Sequence, residues 1–308
     1  MSENEPNRTV YLIGGPTAVG KSDVALYLAK RIDGEIVNCD SVQLYKHMDI
    51  GSAMPSRHDR SIVPHHLFDF VEPDYNMTVA EYQRLALDVI DDILARGKTP
   101  VVVGGTGLYM NSILYDMDFA ARPVDEARRA ELEAIAERSG AEYMYDYLSA
   151  VDPEAASRIH PNNVRKVVRA IEAWESGSGI KDMDELVLNP KYDFKLFGLT
   201  MERSWLYDRI NRRVLKLLEA GFVNEVRELM DMGLTKDTPA MKAIGYKELL
   251  AHLNGECTLK DAAYEIMKNT RHYAKRQLTW LKRYDDLHWI EIVKGETVGQ
   301  VIDDILQY

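Results

Sequence analysis

The sequence predicts an α/β protein with a P-loop doubly wound parallel sheet core and a helical insertion domain. A glycine-rich loop at residues 15–22 lies between an apolar strand and a helix, and later apolar runs such as Val101–Val103 are continuous rather than alternating. Such runs are typical of parallel strands that helices cover on both faces. The pattern from about Met117 to Asn189 is wholly helical, which indicates a separate unit inserted into the sheet-bearing chain.

The glycine-rich loop matches the phosphate-loop pattern G-x-x-x-x-G-K-[ST] at every fixed position. Its residues are Gly15, Pro16, Thr17, Ala18, Val19, Gly20, Lys21 and Ser22. In such a loop the backbone N–H groups and the helix N-terminus surround an anion, the lysine adds a full charge, and the serine hydroxyl binds Mg²⁺. The loop therefore predicts a diphosphate ligand with Mg²⁺ held by Ser22. It leaves open whether the phosphates are transferred, hydrolysed or released.

The remaining elements follow in order along the chain. The predicted strands are Val10 to Ile13, Glu35 to Cys39, Pro100 to Val103 and Phe194 to Leu199, with a helix from Tyr82 to Leu94, long amphipathic helices to about Tyr284, and a final strand and helix within His288 to Leu306. We expect residues 1–117 and 194–308 to form the catalytic core and residues 118–193 to form the insertion domain.

Composition narrows the class of protein. The 308 residues are 46% hydrophobic, no stretch approaches the length of a membrane span, and the first residues are polar, so we expect a soluble cytoplasmic protein with no membrane partner. Cys39 and Cys257 have no companion Cys or His residues at metal-ligand spacing. They are expected to be reduced and structural.

Basic residues are clustered although the net charge is −11. The segment from Ile266 to Tyr284 has no acidic residue, and further clusters lie at residues 165–169 and 203–216. Such clusters on an acidic protein indicate a localised polyanion site. Ordinary solvated helix faces are the alternative for any one of them.

Two strand ends carry the candidate catalytic groups. The strand at residues 101–103 ends in Gly104-Gly105-Thr106-Gly107 rather than in a carboxylate, and Thr106 can donate its hydroxyl to a phosphate oxygen or a leaving group. Asp40 follows the second strand, at the edge of a parallel sheet where ligands bind. It can bind Mg²⁺, accept a proton from a nucleophile, or only cap the following turn.

A set of short blocks resembles the tRNA dimethylallyltransferases, in the same order along nearly the whole chain. The blocks are GGPTAVGKS (14–22), DSVQLY (40–45), DIGSAMP (49–55), PHHLFD (64–69), VGGTGLY (103–109), RKVVRAIE (165–172), KAIGYKE (242–248) and RHYAKRQLTWLKR (271–283). The resemblance implies a fold like that of P-loop nucleotide kinases. It also implies that the loop holds the diphosphate of dimethylallyl diphosphate as a leaving group. The implied acceptor is the N6 amine of the adenosine just 3′ of the anticodon.

The resemblance also implies residue roles. Asp40 would be the general base, while Lys21 and Thr106 would stabilise the leaving diphosphate together with the loop residues 15–22 and Mg²⁺ on Ser22. Arg213 matches a diphosphate-binding arginine of the family, and Arg212 or Arg209 are alternatives because that alignment is loose.

The implied partner is the anticodon stem-loop of tRNA. The implied tRNA-binding residues are Asp40, Ser41, Val42, Gln43, Thr106, Arg165, Lys166, Val167, Val168, Arg169, Lys242, Ala243, Ile244, Gly245, Tyr246, Lys247, Arg271, Lys275 and Arg276. Within residues 165–169 the two valines fit a helix core, which leaves the three basic side chains for RNA. Tyr246 and Trp280 can stack on bases or pack inside the protein, with packing favoured for Trp280. The pair His65-His66 is expected to be structural.

Three rival functions remain at this point. An adenylate isopentenyltransferase would prenylate free AMP or ATP and would not need the insertion or the later basic segments. A P-loop small-molecule kinase would fit the loop alone, and a non-catalytic RNA-binding protein would fit the basic clusters alone. The blocks favour a tRNA enzyme, and the resemblance implies one of the bacterial type that acts as a monomer.

Overall fold

The computed structural model describes residues 8–117, 125–177 and 185–308. The chain divides into two compact units, the first comprising residues 1–116 and 188–308 and the second residues 117–187. The first unit resumes at Leu188, earlier than the sequence placed it, because Leu188 forms an antiparallel bridge with Tyr115. The fold class predicted from the sequence, an α/β protein built on a parallel sheet, is confirmed.

The sheet of the first unit is parallel throughout its described strands, in the order β3-β2-β4-β1-β5-β6. The strands are β1 (Thr9–Gly14), β2 (Gly34–Cys39), β3 (His65–His66), β4 (Thr99–Gly104), β5 (Asp193–Thr200) and β6 (His288–Glu291). In the centre, Val102 lies opposite Leu12 on one side and Val37 on the other. All of these side chains are buried, and burial of each contributes about 1.5–3 kcal/mol.

Helices cover the sheet and form the second unit. They are α1 (Lys21–Arg31), α2 (Arg57–Ile62), α3 (Val79–Ala95), α4 (Gly107–Leu114), α5 (Glu126–Val151), α6 (Pro153–Arg158), α7 (Val164–Glu175), α8 (Arg203–Glu219), α9 (Phe222–Asp231), α10 (Tyr246–Leu253), α11 (Leu259–Leu281) and α12 (Val298–Leu306), with a short 3₁₀ helix at Ala240–Lys242. Capping residues in the local sequence determine where several helices begin. Thr78 and Glu81 form a capping box at α3, and Thr258 and Asp261 form one at α11.

The second unit packs α5, α6 and α7 around an apolar core of its own. Helix α7 is strongly amphipathic, and its Val167, Val168, Ala170 and Ile171 are buried with Leu132 of α5. Gly140 interrupts α5 with a φ of 85°, in the left-handed region that glycine adopts without a steric penalty. In the parts of the chain that the structure describes, no helix is both long and apolar enough to cross a bilayer.

Candidate functional site

A cavity of about 470 Å³ lies in the first unit, at the carboxyl ends of β1, β2 and β4. This is the edge at which open parallel sheets bind ligands. Many of the residues predicted for the site line it: Thr17, Lys21, Ser22, Asp40, Ser41, Val42, Gln43, Arg213, Lys242, Ala243, Ile244, Gly245, Lys247 and Arg276. The volume lies within the range of small-molecule sites.

The phosphate loop connects β1 to α1. Gly20 has a φ of 109°, in the left-handed region that a side chain would disfavour, and Lys21 begins the helix directly after it. The Lys21 ammonium donates hydrogen bonds of 2.9 Å to the carbonyls of Gly15 and Pro16. Burial lowers the pKa of Lys21 to about 8, against the opposing attraction of Asp40, and the charge of Arg213 lowers it further. An anion bound next to Lys21 would stabilise the charged form of this buried amine.

Ser22 has the position and the chemistry of a magnesium ligand. Its residue is exposed and lines the cavity one position after Lys21, and its hydroxyl has no hydrogen-bond partner in the described part of the chain. The described residues contain no group of three or more His, Cys, Asp or Glu side chains suited to a metal. A Mg²⁺ ion bound with phosphate oxygens and water, which needs few protein ligands, fits this arrangement.

The three candidate arginines are all on helix α8, but their side chains have different surroundings. Arg213 lines the cavity together with Ile210 and Val214 of the same helix face, and its guanidinium has no hydrogen-bond partner among the described residues. Burial lowers the pKa of Arg213, partly offset by the attraction of Asp40. Arg212 points to solvent, where it pairs with Asp208 at 2.8 Å. Arg209 donates a 2.9 Å hydrogen bond from Nε to the Ala18 carbonyl of the phosphate loop.

Asp40 lies just beyond β2 and faces the same cavity. Its Oδ1 accepts a hydrogen bond of 2.9 Å from the Val42 backbone N–H, so the turn-capping role considered for Asp40 is present. The side chain of Asn38 fixes the turn further, because its Oδ1 accepts the Asp40 N–H at 2.9 Å. One carboxylate oxygen thus orients the group. Asp40 lines the cavity together with Lys21 and Arg213, and its negative charge attracts both cations.

Thr106 joins the ends of β2 and β4. Its Oγ1 accepts a 3.0 Å hydrogen bond from the Ser41 N–H, and its own N–H donates to the Cys39 carbonyl at 3.2 Å. Thr106 is not itself a lining residue of the cavity, whereas Ser41 is. The hydroxyl therefore lies next to the wall that Asp40 and Ser41 form.

Gln43 is held by the loop at residues 49–55, one of the blocks that carry the resemblance. Its Nε2 donates hydrogen bonds of 3.1 Å to the carbonyls of Ser52 and Ala53. That loop is anchored in turn by the buried carboxylate of Glu225, which accepts the N–H groups of Ile50 at 2.6 Å and Gly51 at 2.9 Å. Glu225 is therefore a positioning residue that sequence reasoning missed.

Tyr246 packs inside the protein, which is one of the two alternatives that its sequence left open. Its side chain is fully buried, its ring packs edge-on against Phe222 at 4.9 Å between centroids, and its hydroxyl donates to Glu225 at 2.7 Å. Position 246 is inside because it begins the buried face of α10. Its neighbours Lys242, Ala243, Ile244 and Lys247 line the cavity instead.

Of the α7 residues predicted to bind tRNA, two are unavailable. Val167 and Val168 are buried in the core of the second unit, so their side chains contact no ligand there. Arg165, Lys166 and Arg169 are exposed on the opposite side of that helix, although Arg169 is near Glu172 at 3.8 Å. Helical periodicity produces this division.

Helix α11 brings basic and packing residues together. Arg276 lines the cavity, Lys275 is exposed, and Arg271 donates a 2.7 Å hydrogen bond to Asn211 of α8. Trp280 packs, as favoured from the sequence: a Cβ on Gly107 would meet its indole ring at 2.5 Å, and its Nε1 donates to Asn111 at 3.3 Å.

Gln277 is a second residue that sequence reasoning missed. It lines the cavity and is buried, with hydrogen bonds to Thr17 and Gly105. The only signal in the sequence was its place within the basic block at 271–283.

The two adjacent histidines lie in different surroundings, one in the cavity wall and one against a buried carboxylate. His65 lines the cavity, and its Nδ1 lies 2.7 Å from the Val63 carbonyl. His66 contacts Glu35 at 2.6 Å, and Glu35 also pairs with Arg96. These contacts give both histidines a structural explanation.

Comparison with known proteins identifies a family. The model of the IPP transferase family matches residues 43–284, and that of the isopentenyl transferase family matches residues 8–63. A tRNA dimethylallyltransferase of Alkaliphilus oremlandii is 44% identical over 302 residues, covering 97% of this chain and 96% of that protein. One from an Exiguobacterium species is 50% identical over 284 residues, covering 92% and 90%.

Solved structures agree with these relatives. The full-length tRNA isopentenylpyrophosphate transferase of Bacillus halodurans has a TM-score of 0.73 at 39% identity, covering 98% of this chain and 96% of that one. A eukaryotic dimethylallyltransferase whose structures are described as acting on tRNA has a TM-score of 0.83 at 26% identity, covering 98% and 80%.

Proposed function

This chain belongs to the IPP transferase family, and we propose that it transfers the dimethylallyl group of dimethylallyl diphosphate to the N6 amine of the adenosine 3′ of the anticodon in tRNA. Diphosphate is the second product. The observation that carries the proposal is the presence of a phosphate loop, an oriented carboxylate and an arginine with no hydrogen-bond partner among the described residues, all around one cavity. The names of the relatives support the reaction class, and the description of the eukaryotic structure supports tRNA as the acceptor.

The site is best suited to stabilise the departing diphosphate. When the C1–O bond of dimethylallyl diphosphate breaks, the bonding electrons move to the diphosphate, whose negative charge increases. The loop amides, Lys21 and Arg213 are positive groups at the cavity, and preorganised charges of this kind stabilise such a transition state. Mg²⁺ bound with Ser22 would supply further positive charge to the diphosphate oxygens. Stabilisation of the leaving group is therefore the main catalytic contribution.

Asp40 serves as the general base in this proposal. The adenine N6 is a weak nucleophile because its lone pair is delocalised into the ring, so it gains from a group that orients it and removes a proton. As the N6–C1 bond forms, one N6 proton passes to Asp40. The Val42 N–H already fixes the carboxylate through Oδ1. Thr106, through its hydrogen bond to Ser41, holds this wall of the site in place and lies near the diphosphate in our proposal.

The target base must leave its stack to enter a cavity of this kind. We propose that Ser41, Val42 and Gln43 contact the extruded adenosine and that Lys242, Lys247 and Arg276 contact the adjoining backbone, because all of them line the cavity. Arg271 and Lys275 of α11 provide further positive charge for the anticodon stem-loop. In the second unit, Arg165, Lys166 and Arg169 form an exposed basic helix face that we propose also binds RNA phosphates. We further propose that the enzyme acts in the cytoplasm as a monomer, as its resemblance to the bacterial tRNA enzymes implies.

The proposal is tested by following the label from dimethylallyl diphosphate labelled in its five-carbon group. We expect transfer to an anticodon stem-loop with adenosine 3′ of the anticodon, and none to AMP, ATP or the same stem-loop with guanosine at that position. Transfer to AMP or ATP would instead indicate an adenylate isopentenyltransferase. Phosphorylation of a small molecule from ATP, without prenyl transfer, would indicate a kinase.

The assignment of the base is tested separately. Asp40→Asn keeps the size of the side chain and one oxygen for the Val42 N–H, but removes the proton acceptor. We expect turnover to fall by at least about 10²-fold while stem-loop binding, measured by fluorescence anisotropy, stays within about threefold. An equal loss of binding, or unchanged turnover, would contradict the base role of Asp40. Stem-loop binding without any turnover in the wild type would favour a non-catalytic RNA-binding function.

A further inference from the structure

Gln277 of α11 connects the phosphate loop to the turn that follows β4. Its Oε1 accepts the Thr17 backbone N–H at 2.8 Å, and its Nε2 donates to the Gly105 carbonyl at 3.0 Å. The side chain is 5% exposed, so both ends of a buried amide are satisfied by backbone groups of two separate loops. We call this pair of hydrogen bonds the Gln277 bridge.

The contact is too tight to be incidental packing. A Cβ added to Gly105 would lie 2.0 Å from the Gln277 Nε2 and 3.4 Å from the Gly15 carbonyl oxygen, so the backbone of this turn approaches both the glutamine and the phosphate loop. Tyr273, one turn earlier on the same face of α11, also donates to the Gly105 carbonyl, at 3.4 Å. Two side chains of one helix thus hold a single carbonyl.

The Gln277 bridge joins the loop that would hold the leaving diphosphate to the turn that supports the proposed base. The phosphate loop would hold the leaving diphosphate. The turn at Gly105 continues into Thr106, whose Oγ1 accepts the Ser41 N–H beside Asp40. A rigid connection therefore runs from the phosphate loop through Gln277, Gly105 and Thr106 to the residue that follows the proposed base.

We propose that Gln277 is a positioning residue that sets the distance between the leaving-group site and the general base. The inference rests on the proposed function. Because the Thr17 N–H already donates to Gln277, diphosphate binds the backbone N–H groups that follow Thr17 in the phosphate loop. Because α11 also carries Lys275 and Arg276, tRNA bound to this helix acts on the same element that aligns the two loops.

The amide itself is required for both bonds. Gln277→Met keeps the length of the side chain and loses both hydrogen bonds. Gln277→Glu keeps an acceptor for the Thr17 N–H, cannot donate to the Gly105 carbonyl, and places a negative charge beside the diphosphate site. The two variants therefore predict different kinetic patterns. The matched control is Gln83→Met, because Gln83 also donates to a backbone carbonyl, that of Ser112 at 2.8 Å, and does not line the cavity.

The experiment measures steady-state kinetics with both substrates, together with melting temperature. We expect Gln277→Met to lower kcat about 10- to 100-fold with the KM for tRNA within about twofold, since misplacement of reacting groups by about 1 Å has effects of that size. We expect Gln277→Glu to raise the KM for dimethylallyl diphosphate as well. Gln83→Met should keep wild-type kcat.

A double-mutant cycle separates positioning from a merely structural role. If Gln277 acts through the turn that bears Thr106, the kcat losses of Gln277→Met and Thr106→Val will be less than multiplicative in the double variant. Fully multiplicative losses, or a kcat of Gln277→Met within twofold of the wild type, would overturn the proposal.

Amide hydrogen exchange tests the Gln277 bridge without requiring enzyme turnover. In Gln277→Met, exchange within a peptide spanning residues 15–22 should accelerate at least about tenfold, and in Gln83→Met it should not change. Unchanged exchange overturns the bridge. Failure of the wild-type enzyme to prenylate any stem-loop, with accelerated exchange in Gln277→Met, would instead count against the proposed function and leave the bridge supported.

Discussion

Replacement of Arg213 by Met should weaken binding of diphosphate and also stabilise the protein without ligand. The Arg213 guanidinium lines the cavity, and burial lowers its pKa, which means that the folded protein disfavours the charged form. It has no hydrogen-bond partner in the part of the chain that the structure describes. Methionine keeps most of the side-chain length and removes the charge. The cation is thus costly in the free protein and useful only when an anion is present.

The magnitude follows from the lost interaction. A hydrogen bond to a charged group contributes about 1.5–3 kcal/mol, so the affinity for inorganic pyrophosphate and kcat/KM for dimethylallyl diphosphate should each fall roughly 10- to 100-fold. The free energy of unfolding should rise by on the order of 1 kcal/mol, because an incompletely compensated charge leaves the interior. Loss of its charge also removes a group that lowers the pKa of Lys21, so that pKa should rise.

Arg212→Met is the matched control. Arg212 is the adjacent residue of the same helix, but its side chain is 73% exposed and pairs with Asp208. Arg212 does not line the cavity, so pyrophosphate affinity should change less than about twofold. Loss of an exposed pair of this spacing should lower the free energy of unfolding by only about 0.3–0.5 kcal/mol. Calorimetric titration with pyrophosphate and urea unfolding measure the two quantities. An equal loss of affinity in both variants, or a clear destabilisation by Arg213→Met, would refute the reasoning.

Three further predictions concern charged side chains. Because burial lowers the pKa of Lys21 to about 8, kcat/KM for dimethylallyl diphosphate should fall as the pH rises through 8, where the amine loses its charge, and a profile that stays flat to about pH 9 would contradict this. Hydrogen bonding to Arg96 holds the pKa of Glu35 at about 2, below its ordinary 4.5, so this carboxylate stabilises the fold above about pH 4.5 and the contribution disappears as the pH falls toward 2. Glu35→Gln should therefore lower the free energy of unfolding by on the order of 1–3 kcal/mol at pH 7 and by little near pH 2 in urea titrations, and an equal effect at both pH values would disprove the assignment. Glu225→Gln leaves one acceptor oxygen for two backbone N–H groups and a tyrosine hydroxyl, so the loop that holds Gln43 should loosen. The KM for tRNA should rise severalfold with the KM for dimethylallyl diphosphate unchanged, and the reverse pattern would exclude this role.

Helical periodicity predicts which side chains of a helix face the interior, and the motifs alone do not. Ile210 and Val214 are apolar and one turn apart, so Arg213 lies on their side of α8 and Arg212 lies on the other. The same reasoning divides α7 into a buried valine pair and exposed basic residues. Tyr246 was harder to place, because a tyrosine after a glycine can begin either a buried or an exposed helix face. Its burial depends on Phe222 and Glu225, which come from a different helix.

The sequence by itself determined the phosphate loop and five of the six described strands, because these depend on local apolar patterns and on short motifs whose backbone geometry glycine permits. It missed β3 (His65–His66), because two polar residues carry no apolar pattern. Asp40 was also identifiable, since the residue that follows a buried parallel strand lies at the ligand-binding edge. Only the tertiary structure brought Gln277 within 2.8 Å of Thr17 and Glu225 within 2.6 Å of Ile50. Each pair is far apart in the chain, and a hydrogen bond between distant residues has no local pattern from which to predict it. The groups that bind substrate were visible in the sequence, and the groups that hold them in place required the fold.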